Sequence, residues 1–113
     1  MANWVIKIVP TGFQPDLQGA QVSQPLGVSA GDNVVWNNTT DDPHWPWPVV
    51  DGVTVANPLP NPVPEGAYFL CNEIAPGSVS SPTFHVPNGL AKGTTISYCC
   101  YLDQSLTGSI VVV

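Results

Sequence analysis

Thirteen prolines are scattered through 113 residues, and they leave almost no stretch long enough for a helix. A proline inside a helix removes a backbone hydrogen bond and clashes with the preceding turn, at about 3 kcal/mol. What lies between the prolines is short and alternating. In residues 4–9, Trp4, Ile6 and Ile8 share one face while Val5, Lys7 and Val9 share the other, the period-two signature of a strand. Pro10-Thr11-Gly12 ends it. Residues 25–28, 33–37, 53–55, 67–71, 83–86, 94–101 and 109–113 read as further strands. Ala30-Gly31-Asp32, Ala75-Pro76-Gly77 and Asn88-Gly89 supply turns between them. The last strand is expected beside the first. Seven or eight short strands with turns between them predict an all-β sandwich or closed barrel.

The chain length fits one domain, 1–113, and a hydrophobic content of 43% is enough for a real core. Eight acidic residues face only two lysines, Lys7 and Lys92, and no arginine, for a formal net charge of -6. Such a surface repels nucleic acid and anionic membranes, and it tolerates a cationic partner or a metal ion. No targeting signal is read at Met1-Ala2-Asn3-Trp4. Ile110-Val111-Val112-Val113 is far too short to span a bilayer, so no membrane insertion is expected. Overlapping Asn-x-Thr acceptors begin at Asn37 and Asn38.

Segment 38–66 holds seven prolines and is expected to be mostly loop. Its most unusual stretch is His44-Trp45-Pro46-Trp47-Pro48. The prolines hold Trp45 and Trp47 in extended backbone. The two rings then either form a rigid partner-binding patch or close one end of the sandwich and shield His44. Asp41, Asp42 and Asp51 are spaced as in ordinary solvated turns, and calcium is a weak alternative.

In the strand 94–101 the phase carries chemistry. Ile96, Tyr98 and Cys100 lie on the more apolar face and point inward, whereas Cys99 points to the outer face or a flanking loop. A disulfide between the neighbours Cys99 and Cys100 would strain a strand. If the strand ends meet, His44, Cys100 and Asp103 converge. Thiolate, imidazole and carboxylate are competent ligands for copper or zinc and would leave one position open. Each residue also has an ordinary reading: a packed histidine, a small buried hydrophobe, and an aspartate capping its own turn. As a nucleophilic triad the set lacks an oxyanion hole and a substrate pocket, so no enzyme activity is expected.

Two stretches carry a family resemblance. Gly31-Asp32-Asn33-Val34-Val35-Trp36-Asn37-Asn38, followed by Pro43-His44, resembles the strand and first histidine ligand of the cupredoxins, the small blue copper proteins. Gly93-Thr94-Thr95-Ile96-Ser97-Tyr98-Cys99-Cys100, with the loop to Gly108 and Ile110-Val111-Val112, resembles their aromatic strand, ligand loop and closing strand. The resemblance implies an antiparallel Greek-key β-sandwich of seven to eight strands. It puts His44 on the first histidine ligand and Cys100 on the cysteine ligand. The short-loop spacing is kept, but Asp103 stands where the second histidine belongs and Leu106 where the axial methionine belongs. Aligning Cys99 as the ligand breaks that spacing. His85 or Cys71 would have to replace a missing donor from another strand. Cys71 is otherwise expected beside Phe69 or in a structural disulfide with Cys99.

The implied function is an atypical mononuclear copper or zinc centre with a redox, electron-transfer or metal-handling role, in a periplasmic or extracellular protein. A carboxylate ligand is harder than imidazole and would favour the divalent ion. The alternative is a metal-free interaction or self-assembly module that binds a protein partner, or itself, through the Trp45/Trp47 end.

Overall fold

The computed structural model describes residues 1–113 and contains nine strands and no helix. β1 (Asn3–Val9) turns at Pro10-Thr11 into β2 (Gly12–Pro15) as an antiparallel hairpin. β3 (Leu26–Val28) crosses to the opposing sheet, and β4 (Asn33–Asn38) returns beside β1. β5 (Pro46–Val50) and β6 (Val53–Thr54) form a second hairpin. β7 (Phe84–His85), β8 (Thr95–Cys100) and β9 (Asp103–Val112) follow. One sheet has the order β2-β1-β4-β7 and the other β3-β9-β8-β5-β6. The all-β sandwich expected from the sequence is present.

Several details correct the sequence reading. The sheets are mixed rather than antiparallel, because β1 pairs with β4 and β3 with β9 in parallel. In the first case the chain leaves the sheet through β3 and re-enters in its original direction. The last strand does not lie beside the first. Both edges of β1 are taken by β2 and β4, and β9 is paired with β3 and β8 instead. Residues 67–71 are not a strand, although Ala67, Leu70 and Cys71 are buried.

The largest miss is β5, inside the segment read as loop. Its prolines alternate with tryptophan, and that spacing makes the strand feasible. The carbonyls of Trp45 and Pro48 face opposite ways: Trp45 O accepts from Tyr101 N at 2.8 Å, on the β8 side, while Pro48 O accepts from Val55 N at 3.1 Å, on the far side. Residues 46 and 48 share a parity, so both missing N–H donors face away from β8. The ladder to β8 loses nothing. Pro46, Trp47 and Pro48 stand opposite Cys100, Cys99 and Tyr98.

The core lies between the sheets. Ile6, Ile8, Phe13, Val34, Trp36 and Phe84 face Leu26, Val28, Ile96, Tyr98, Cys100, Ile110 and Val112. Alternation chose these residues, as expected for one buried face per sheet. Tyr98 sits edge-on to Phe13 at 4.8 Å and to Trp36 at 5.4 Å between ring centroids. Its cross-strand partner is Gly108. A Cβ on Gly108 would lie 2.6 Å from the Tyr98 ring carbon Cζ and hydroxyl. Gly108→Ala is therefore expected to cost about 1–3 kcal/mol through overpacking, read as a lower urea midpoint with an unchanged far-UV spectrum.

Asp32 ties the chain start to this frame. Its carboxylate accepts from Ala2 N, the Trp4 indole N–H and Ser29 N, all at 2.9 Å. The Trp4 bond, then the two backbone N–H bonds, hold its pKa below the usual value of 3.8. A folded pKa lower than the unfolded one gives stability that is complete above the ordinary carboxylate range. It is lost as pH falls through the depressed value. The stability difference between the wild type and Asp32→Asn is expected to shrink steadily from about pH 6 to about pH 2, as measured by denaturant titration at each pH.

Candidate metal centre

His44 and Cys100 meet at one end of the sandwich. The two sit 56 positions apart in the chain, yet His44 Nδ1 lies 3.3 Å from Cys100 Sγ. The same sulfur accepts from Trp45 N at 3.4 Å. Cys100 has no exposed surface and His44 only 7%. Cys100 reaches this spot as the last inward-facing residue of β8, as its phase required.

The loop carrying His44 is fixed from both sides. His44 exchanges backbone hydrogen bonds with Ile74, at 3.1 and 2.8 Å. Asn38, fully buried at the end of β4, is the polar hub beneath it. Its amide nitrogen donates to the carbonyls of Asp42 at 2.8 Å, Ile74 at 3.2 Å and Ala75 at 3.3 Å. Its oxygen accepts from Thr40 N at 3.0 Å and from the Thr40 hydroxyl at 2.7 Å. Sequence reasoning placed Asn38 within a motif but assigned it no role. The available signal was a carboxamide on an inward-facing position of an apolar strand, where a polar group must find partners.

Asp103 is not brought into this pair. No three or more His, Cys, Asp or Glu side chains are grouped closely enough to hold a metal ion. β8 and β9 join through only Tyr101 and Leu102, so Asp103 stands opposite Cys100 at the start of β9. The expected ligand loop has become a bulge. Between partners Thr107 and Asp103 lie Gln104, Ser105 and Leu106, while Cys99 and Cys100 are consecutive. The exposed Asp103 carboxylate stabilises that bulge, accepting from the Ser105 hydroxyl at 2.6 Å and Ser105 N at 3.3 Å. Leu106 packs against the core edge.

The other candidates stay apart. His85 is exposed on the outer face of its sheet and bonds the Asn33 side chain, while Phe84 takes the inward position. All three cysteines are free, so the Cys71–Cys99 disulfide is absent. Cys71 lies within the core, where burial pushes its thiol up to about 12. Cys99 lies on the opposite face of β8, 3.5 Å from the Thr54 hydroxyl, under β6. Burial raises its pKa, the Thr54 contact opposes that, and Cys100 adds to the rise.

Trp45 and Trp47 do not form an exposed pair. Trp47 is buried and donates its indole N–H to Val55 O at 2.7 Å, while the half-buried Trp45 donates to Cys71 O at 2.8 Å. Their rings meet at 5.1 Å, and Tyr101 lies 5.8 Å from each. They pack with Tyr101 beside the β5–β8 pairing, and the structure gives self-association through them no support.

His44 also lines an open cleft of about 310 Å³, together with Pro10, Thr39, Thr40, Asp41, Asp42, Asp103 and Leu106. Asn38→Ala is expected to cost about 1–3 kcal/mol, because it removes the buried side-chain hydrogen bonds that tie the His44 loop to Thr40, Asp42, Ile74 and Ala75. It should also speed amide exchange at Asp42 and His44 relative to the β1–β4 ladder.

No family model matches the chain, and no curated protein matches it. Solved structures do. A reduced proline-to-phenylalanine variant of amicyanin aligns at TM-score 0.60 and 17% identity, covering 96% of this chain and 80% of that one. An oxidised methionine-to-lysine variant of amicyanin aligns at 0.61, and the Cu(I) form of a methionine-to-alanine variant at 0.60, both with the same identity and coverage. At this identity the likeness speaks for the fold. The chain has the β-sandwich fold of cupredoxin type.

Proposed function

We propose that this is a cupredoxin-like metal-binding protein with an atypical mononuclear centre, seated on His44 Nδ1 and Cys100 Sγ and taking copper or, alternatively, zinc. The observation that carries this reading is the 3.3 Å approach of an imidazole nitrogen to a buried thiol, across 56 residues, in an amicyanin-like fold. The pair passes a simple test of fit. An ion bonded at about 2.0–2.1 Å to nitrogen and about 2.3 Å to sulfur spans that separation at an angle near 100°. Soft thiolate and imidazole donors suit copper and zinc.

The residues divide the work. Cys100 binds as thiolate and releases a proton on loading. The Trp45 N–H bond to its sulfur moderates the donor. Asn38 and the Ile74 pairing hold the His44 loop in place. Leu106 offers no donor, and Asp103 contributes negative charge from the cleft rim rather than a bond. Copper held there would supply one-electron chemistry. The role proposed is therefore redox or metal handling without catalysis, in a periplasmic or extracellular protein.

A second reading has its own support. The engagement of Asp103 with Ser105, and the lack of a third grouped donor, fit a metal-free interaction module that kept the fold. Competition titration with elemental analysis separates the two. Cys100→Ser is expected to weaken copper and zinc binding at least about 100-fold, and Asp103→Asn to change it by no more than about threefold. Unchanged binding in Cys100→Ser would falsify the metal centre and leave the module. Equal losses in both variants would show that Asp103 moves in as a ligand.

A further inference from the structure

The turn that leads from β7 toward β8 carries a reactive pair that the metal reading does not use. Of the eight asparagines, Asn88 alone precedes a glycine. Asn57 and Asn61 precede proline, which has no backbone N–H. Asn38 is buried and donates its amide to three carbonyls, and Asn33 donates to the Asn3 side chain. Asn88 and Gly89 are both exposed.

The turn holds the pair loosely. Leu90 N donates to Pro87 O at 3.4 Å, the longest backbone bond in the turns and loops, and Gly89 N has no backbone acceptor. A Cβ on Gly89 would meet nothing within 4 Å, so this side of the turn is open. The other side is not. Asn88 Oδ1 occupies the place a Cβ on Gly31 would take, and Gly31 has a φ of +87° that favours glycine. Gly31 N donates to Val86 O and Val86 N to Asp32 O, both at 2.8 Å. Asn88 therefore packs on the same turn whose Asp32 carboxylate holds Ala2 N and the Trp4 indole.

We propose that Asn88-Gly89 is a site of spontaneous deamidation, and that isoaspartate formed there loosens the Asp32 anchor of the chain start. Gly89 N gives its proton to hydroxide and attacks Asn88 Cγ. The bond from Cγ to the side-chain nitrogen breaks, ammonia leaves, and a succinimide closes. Water then opens the ring. Cleavage between Gly89 N and Cγ gives aspartate; cleavage between Gly89 N and the Asn88 backbone carbonyl gives isoaspartate. No oxidant is consumed. Glycine favours the ring closure because no Cβ obstructs the swing of its backbone nitrogen. Isoaspartate adds a methylene to the main chain and leaves a free carboxylate beside Gly31. β7 is only two residues long, so the added length falls on the two Val86 bonds at the Gly31-Asp32 turn. The new carboxylate also repels that of Asp32, within the reach of unscreened charge. None of this depends on the metal reading.

The test incubates the full chain in mildly alkaline buffer. Peptide mapping by mass spectrometry follows conversion, and a protein-isoaspartyl methyltransferase titrates the isoaspartate. Asn88 is expected to convert at least about tenfold faster than Asn72, which is also exposed but precedes glutamate. Gly89→Ala has open space for its Cβ and should slow conversion at Asn88 by about tenfold or more, with an unchanged circular dichroism spectrum. The isoaspartyl form, separated by ion exchange, should exchange the Ala2 N–H and Trp4 indole N–H at least about fivefold faster than unreacted protein, with the β8–β9 ladder unchanged. Conversion at Asn88 no faster than at Asn72, or unaffected by Gly89→Ala, would overturn the site. Unchanged exchange at Ala2 and Trp4 in the isoaspartyl form would overturn its link to Asp32.

Discussion

The pairing of β5 with β8 is the constraint from which the site follows. It sets Pro46 opposite Cys100 and so carries the residues just before it, His44 and Trp45, to the end of β8. One slip of register would turn every side chain of β5 to the other face. Trp47 would then enter the core, and the imidazole would leave the thiol. The alternating prolines support the register. Their missing donors must face away from β8, and only one parity satisfies that. A segment that looks hostile to sheet formation is thus specific about which edge it pairs with.

Two polar residues hold this arrangement against the entropy of long connections. Asp32 binds the chain start to the turn before β4, and Asn38 binds the His44 loop to the segment around Ile74. Both are buried, and each makes at least three hydrogen bonds there. They stand at opposite ends of β4, with Val34 and Trp36 packed between them. A single strand therefore links the anchoring of the N-terminus to the placement of the imidazole. Trp45, Trp47 and Tyr101 cluster beside the β5–β8 pairing, and the acidic cleft opens beside His44.

Much of the fold was legible where one face of a strand is buried. Ile6, Ile8, Val34, Trp36, Ile96, Tyr98 and Cys100 all point inward as alternation required. The outward turn of Cys99 to a flanking segment was legible for the same reason. β5 was not, because single-residue propensity counts proline against a strand and cannot see which edge lacks donors. The parallel pairings were also hidden, since they depend on which sheet β3 joins. At the site, His44 and Cys100 were proposed from the family resemblance and the inward phase of Cys100, and the structure brings the two side chains together. Asp103 was aligned by loop length alone, and length does not report that Gln104, Ser105 and Leu106 bulge out or that the carboxylate prefers Ser105.

Taken alone, the amino-acid order determined an all-β chain, the inward phase of Cys100 and the chemistry available to it. Those properties are local: proline exclusion, side-chain alternation and the identity of each donor act within a few residues. Tertiary structure decided that the two tryptophans pack together with Tyr101, that the three thiols stay separate, and that the imidazole rather than the carboxylate touches the sulfur. These outcomes depend on contacts between separate segments, up to 56 positions apart for His44 and Cys100. Sheet register and the burial of neighbouring loops fix such contacts, and no short stretch of sequence contains them.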